Sequence, residues 1–199
     1  GNAVHSVATF WMRIILFISG VRVEIKGIEN IPPSPVTFVS NHKGAFDIPV
    51  LQASLPLQFR WVATRGLFNI PLVGWAMRLA GYIAIDRTDA GEAVKSIGKA
   101  AERIKRGTSV LVFPEGTRNE GERLLPFKRG VFLLSVRSGA PVVPVAIKGT
   151  EKVMKRGSLS INPATVRVSI GRPIKAGSAD ERELMSVTKE ALQKELDSL

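Results

Sequence analysis

Val36-Thr37-Phe38-Val39-Ser40-Asn41-His42-Lys43-Gly44-Ala45-Phe46-Asp47 changes character half-way along. Its first five residues carry no charge and read as a buried strand, entered from the loop Pro32-Pro33-Ser34-Pro35. A polar, glycine-containing turn follows and leads into a helical pattern over about residues 45–54. The alternation continues on both sides. Upstream, Val21-Arg22-Val23-Glu24-Ile25 alternates like a half-exposed strand. Downstream, short strands fit Arg60–Ala63, Tyr82–Asp86, Ser109–Phe113, Val142–Ile147 and Val166–Ile170, with helical patterns at about 67–79, 89–105, 130–138 and 179–198. Strands alternating with helices predict the α/β class: a central mixed, mostly parallel sheet flanked by helices. Pro144 inside a strand pattern predicts an edge position or a bulge, because proline brings no N–H to a ladder.

At 199 residues the chain suits one domain with a continuous core. The absence of cysteine excludes disulfides, thiolate nucleophiles and Cys-based metal sites. His5 and His42 are the only histidines, so no metal centre is expected. The formal net charge of +11 asks for an anionic partner: phospholipid headgroups, nucleic acid, a phosphorylated substrate or an acidic protein. The excess is concentrated. Lys148, Lys152, Lys155, Arg156, Arg167, Arg172 and Lys175 stand against the single acid Glu151, as a binding surface or as a solvated basic face.

The run Val7–Gly20 is apolar with Arg13 inside it. As a helix it measures roughly 20 Å at about 1.5 Å per residue, short of a hydrocarbon core of about 30 Å. It is not expected to span a bilayer, and it lacks the small-residue cleavage site of a signal peptide. Trp11 and Arg13 beside Phe10, Ile14, Ile15 and Phe17 suit a helix lying in a membrane interface, an ordinary core helix being the alternative. Residues 1–20 are therefore expected to form a short N-terminal membrane-interfacial helix, and residues 21–199 the main domain. The chain opens on Gly rather than Met, so a truncation or an expression scar is expected there.

His42 and Asp47 would lie about 140° apart on a straight helix at about 100° per residue, too far around to meet. They meet if His42 sits in the turn, Gly44 absorbs an unusual backbone angle and Asp47 opens the helix. Asp47 then fixes the imidazole tautomer and stabilises the charge when His42 takes a proton, the base–orienter half of a hydroxyl-activating site. In Phe113-Pro114-Glu115-Gly116-Thr117-Arg118-Asn119, Gly116 permits positive φ and consecutive N–H groups can cradle an anion. Arg118 supplies a planar fork suited to phosphate or carboxylate. Gly81–Arg87 delivers Arg87 at a strand end, and Pro126-Phe127-Lys128-Arg129-Gly130 places Lys128 and Arg129 at a helix start.

These blocks resemble those of the glycerolipid acyltransferase family, whose members acylate glycerol 3-phosphate or lysophosphatidic acid. The His-four-residues-Asp block is Asn41-His42 to Asp47, and the Gly-five-residues-Arg block is Gly81 to Arg87. Phe113–Arg118 and Val143-Pro144-Val145 follow in the family's order. The pattern is most similar to the bacterial 1-acylglycerol-3-phosphate type and runs from about residue 21 to about residue 175. Asn119 departs from it, standing where serine is common.

The resemblance implies that His42 and Asp47 deprotonate an acceptor hydroxyl, which attacks an acyl thioester directly. It implies that Arg87, Arg118 and Lys128 bind the acceptor phosphate, with Glu115, Gly116 and Thr117 around its glycerol portion. It links Val143, Pro144 and Val145 to the acyl donor. The implied co-substrates are lysophosphatidic acid and acyl-CoA or acyl-acyl carrier protein, with no cofactor. The implied location is a phospholipid surface on the cytoplasmic face, the inner membrane in a bacterium.

No Gly-x-Ser-x-Gly, Gly-x-Gly-x-x-Gly, Walker or His-Glu-x-x-His pattern occurs, so direct transfer is the simplest mechanism left. Glycerol 3-phosphate or another lipid acceptor on the same scaffold is the alternative within chemistry. A non-enzymatic basic protein on a membrane or on nucleic acid is the alternative outside it. Nucleic acid is not expected as a partner, because aromatics are only 7% and lie mostly in apolar runs.

Overall fold

The computed structural model describes residues 1–33, 35–86, 89–177 and 180–199. Seven strands form one sheet in the order β1-β7-β6-β2-β5-β3-β4. They are β1 (Arg22–Lys26), β2 (Thr37–Ser40), β3 (Phe59–Thr64), β4 (Ile83–Ile85), β5 (Ser109–Val112), β6 (Val142–Lys148) and β7 (Thr165–Ile170). Every ladder is parallel except β6–β7. The helices are α1 (Asn2–Ile18), α2 (Asp47–Ser54), α3 (Val73–Leu79), α4 (Ala90–Lys105), α5 (Gly130–Ser138), α6 (Thr150–Val153) and α7 (Glu181–Asp197).

The central strands β2 and β5 are buried along their whole length, and β6 nearly so, because helices cover both faces of the sheet. Successive residues point to opposite sides. Phe38 and Leu111 join Leu16 of α1 and Val50 and Leu51 of α2 in one core. Their neighbours Val39 and Val112 join Phe132 of α5 and Leu184, Leu192 and Leu196 of α7 in another. A third cluster holds α4 against β4 through Ile97, Ala101, Ile83 and Ile85. Asp89 starts α4 by accepting the Glu92 N–H at 2.9 Å, the usual way an aspartate satisfies a free donor at a helix start.

One expectation is decided between its two alternatives and another needs correction. Pro144 does not lie at an edge, since β6 is interior, between β2 and β7. It is tolerated because the β6–β7 pairing slips by one residue there, from Val142 opposite Ile174 to Val145 opposite Ile170. The Pro144 carbonyl still accepts the Gly171 N–H at 2.9 Å, and the slip leaves no need for the N–H that proline lacks. The pattern at 67–79 is not one helix. A 3-10 turn covers Arg65–Asn69 and α3 begins only at Val73. Pro71 forces Ile70 into an extended conformation (φ −72°, ψ 124°) and so separates the two.

No helix among the described residues is long and apolar enough to cross a membrane. α1 is nonetheless two-sided. Leu16 and His5 face the core, while Val7, Phe10, Trp11, Phe17 and Ile18 are exposed. A buried polar network ties α1 down: the Gln52 amide donates to His5 Nε2 (3.0 Å) and Thr9 Oγ1 (2.9 Å) and accepts from Trp61 Nε1 (2.8 Å). Burial, reinforced by the Arg60 charge, pushes the His5 pKa down to about 4.

Candidate active site

The carboxyl ends of the neighbouring strands β2 and β5 meet where α/β sheets bind ligands. His42 lies in the turn after β2 and Asp47 is the first residue of α2. His42 Nδ1 lies 2.6 Å from Asp47 Oδ2. The same oxygen accepts the N–H groups of Lys43 (2.6 Å) and Gly44 (3.0 Å), and Oδ1 accepts the Thr150 hydroxyl. Asp47 is fully buried. Four donors thus converge on one carboxylate, so it cannot turn away from the imidazole. With Nδ1–H committed to Asp47, Nε2 carries the free lone pair. Nε2 has no partner among the described residues and is not enclosed.

Gly44 is needed for closeness rather than for an unusual angle, which corrects the turn as read from sequence. Its φ is not positive, but an added Cβ would lie 3.0 Å from the Thr150 carbonyl oxygen. The imidazole is held from the side by Phe113, stacked at 4.0 Å and 8°. Trp61 packs against Phe113 in turn.

The loop after β5 locks the His42 turn in place. Glu115 is buried, and its carboxylate accepts the His42 N–H (3.1 Å), the Asn119 amide (3.0 Å) and the Leu125 N–H (2.9 Å). Asn119 donates its own N–H to the His42 carbonyl at 2.7 Å. Its side chain bridges Glu115, the Arg123 carbonyl and the Gly121 N–H. Gly116 adopts φ +73°, as its place in the turn led one to expect.

The cations are more dispersed than expected. Arg87 lies outside the described residues. Arg118 lines a cavity of about 260 Å³ with Lys43, Lys155 and Arg156, whereas Lys128 lines another, of about 310 Å³, with Asp86 and Ile85. Arg129 is taken up by Glu181 of α7. Arg65, after β3, pairs with Asp86 at 2.5 Å. Val143 and Val145 are core residues of β6, packed with Phe38 and Leu111. Thr150, and the bridging that Asn119 performs, were not legible in the sequence. Thr150 is 103 positions from Asp47 and meets it only because β6 runs beside β2.

A family model described as Acyltransferase matches residues 22–148. The chain belongs to the acyltransferase family. It is 40% identical over 179 residues to a chloroplastic 1-acyl-sn-glycerol-3-phosphate acyltransferase of Brassica napus, covering 88% of this chain and 52% of that one. A 1-acyl-sn-glycerol-3-phosphate acyltransferase of Pseudomonas aeruginosa is 33% identical, over 91% of this chain and 72% of its own. The chain thus spans about half the length of the chloroplast relative. Its fold is that of a solved acyltransferase: the crystal structure of the 1-acyl-sn-glycerophosphate (LPA) acyltransferase PlsC from Thermotoga maritima superposes with a TM-score of 0.84. The two are 28% identical, over 98% of this chain and 78% of that one.

Proposed function

We propose that this acyltransferase moves a fatty acyl group from a thioester donor to the free hydroxyl of 1-acylglycerol 3-phosphate, giving phosphatidic acid. The observation that carries the reading is the 2.6 Å contact between His42 Nδ1 and a fully buried Asp47, with Nε2 left open. Nε2 takes the acceptor hydroxyl proton as the oxygen attacks the thioester carbonyl. The carbon–oxygen bond forms, the carbon–sulfur bond breaks, and the leaving thiolate receives the proton back from the imidazolium. Asp47 stabilises that imidazolium between the two steps. The thioester is already activated, so the sequence of bonds needs no covalent enzyme intermediate.

Arg118 and Lys128 belong to the loop that Glu115 and Asn119 tie to His42, and both, together with Arg87, are assigned to the acceptor phosphate. The relatives' names, which specify 1-acyl-sn-glycerol-3-phosphate, support that assignment. Glu115 is read as a positioning residue, since its oxygens already hold protein donors. The exposed apolar side of α1 is assigned to a phospholipid surface, where such an acceptor resides. Purified protein given the acceptor with acyl-CoA or acyl-acyl carrier protein should produce phosphatidic acid, read by mass. No product with either donor, from folded protein on vesicles, would overturn the reading.

A further inference from the structure

Most of the basic run between Lys148 and Lys175 plays no part in the mechanism above. From Lys152 to Gly177 the chain contains no acidic residue. Its least regular part is the loop between α6 and β7. That loop is short-circuited at its base, where Asn162 N–H donates to the Val153 carbonyl at 2.8 Å. At its tip Leu159 is 94% exposed, more than any other large apolar side chain described, and Ile161 is exposed as well. Lys155 and Arg156 precede the tip, and neither side chain has a partner among the described residues.

The loop does not project at random. Its foot, Pro163, packs against Gly20, where an added Cβ would meet it at 3.1 Å, and the Ala164 carbonyl accepts the Arg22 N–H at 3.0 Å. The foot of the loop therefore lies beside the end of α1, where Phe17 and Ile18 are 85% and 74% exposed. Its inner side forms one wall of the 260 Å³ cavity whose other wall carries Lys43, Gly44 and Arg118, the residues flanking the His42 turn.

We infer that the loop 154–162 is a second lipid-contacting element, beside α1, which seats the active-site mouth on a bilayer with anionic headgroups. Leu159 and Ile161 enter the interface. Lys155 and Arg156 meet the headgroup phosphates. Apolar tips flanked by cations and free of acids match that surface, whereas an acidic protein would leave Leu159 without an apolar partner. The inference rests on the proposed lipid acceptor for its purpose, but its test does not depend on turnover.

The test is co-sedimentation of the whole chain with phosphatidylcholine vesicles, with and without phosphatidylglycerol. Removing both charges in Lys155→Ala/Arg156→Ala should lower partitioning onto the anionic vesicles by about 20–30-fold, at about 1 kcal/mol per charge and 1.4 kcal/mol per decade. Binding to neutral vesicles should stay the same. Leu159→Ser should weaken both. In the same preparations, urea melts should match wild type, so that a loss of binding reports on the surface and not on the fold. Unchanged partitioning in both variants would overturn the inference. Should the wild type transfer no acyl group at all, the proposed function fails while the vesicle result still decides the loop.

Discussion

Asp47→Asn separates what the carboxylate holds in place from what its charge does. Three donors meet Oδ2: His42 Nδ1 and the N–H groups of Lys43 and Gly44. Only the Thr150 hydroxyl meets Oδ1. An asparagine can keep its oxygen on the crowded side and turn its NH₂ toward Thr150, whose hydroxyl accepts as readily as it donates. The reverse orientation would set NH₂ against two backbone N–H groups. The imidazole should therefore keep its tautomer and lose only the stabilisation of the imidazolium. A hydrogen bond to a charged group is worth about 1.5–3 kcal/mol and a neutral one about 0.5–1.5. The difference of roughly 1–1.5 kcal/mol corresponds to about tenfold in rate. Asp47→Ala is a different perturbation. It strands two buried N–H groups and a hydroxyl, each at about 1–3 kcal/mol, and should destabilise by several kcal/mol. Steady-state kcat with urea melts on the same samples measures both. A folded Asp47→Asn protein as inactive as one lacking His42, or an Asp47→Ala protein as stable as wild type, would refute the reasoning.

Thr150→Val should cost about 1–3 kcal/mol by removing one donor from a buried carboxylate, seen as a lower urea midpoint, and Thr150→Ser should recover most of it. His5 is pushed down to about 4 from 6.5, so the unfolded chain binds the extra proton between those values. Its contribution is complete above pH 6.5 and is lost as the pH falls toward 4. Stability at pH 5 should sit about 2 kcal/mol below that at pH 7.5, and His5→Gln should flatten the difference in parallel melts. A monoacylglycerol should be a poorer acceptor than its phosphate by roughly two powers of ten, at about 1.5–3 kcal/mol per charged hydrogen bond and 1.4 kcal/mol per decade. Arg118→Ala should erase much of that preference in kcat/KM, and Arg118→Lys should restore only part of it.

The central strands were legible as short, mostly apolar runs buried from both sides, and β1 from its alternation, patterns that survive without context. Helix α5 was legible to its ends for a similar reason, bounded by Lys128-Arg129 and Gly139. The failures have local causes. Pro71 interrupts an apolar segment that otherwise reads as one helix, and its effect on Ile70 outweighs the periodicity. Pro144 signalled an edge or a bulge; the register slip opposite Ile174 takes the second form, and nothing in the local sequence chooses between the two. In the site, His42 and Asp47 were legible from the turn that separates them together with the family resemblance, not from their spacing alone. Thr150 was not, because the β2–β6 pairing that brings it near leaves no trace in local sequence. Glu115 was linked to the glycerol portion of an acceptor only by the resemblance, with nothing in its local sequence to say which way it faces. Here the free N–H of His42 draws it inward.

His42→Ala tests the account most directly. His5, the only other histidine, is held against Gln52, whereas His42 has its Nδ1 anchored 2.6 Å from Asp47 and its Nε2 on the open side. The purified variant and wild type should be compared in acyl transfer from acyl-CoA to 1-acylglycerol 3-phosphate, with circular dichroism and urea melts confirming an intact fold. Transfer should fall by about 10²–10⁴-fold, the usual share of general-base catalysis. A folded variant that transfers at the wild-type rate would contradict the role given to His42.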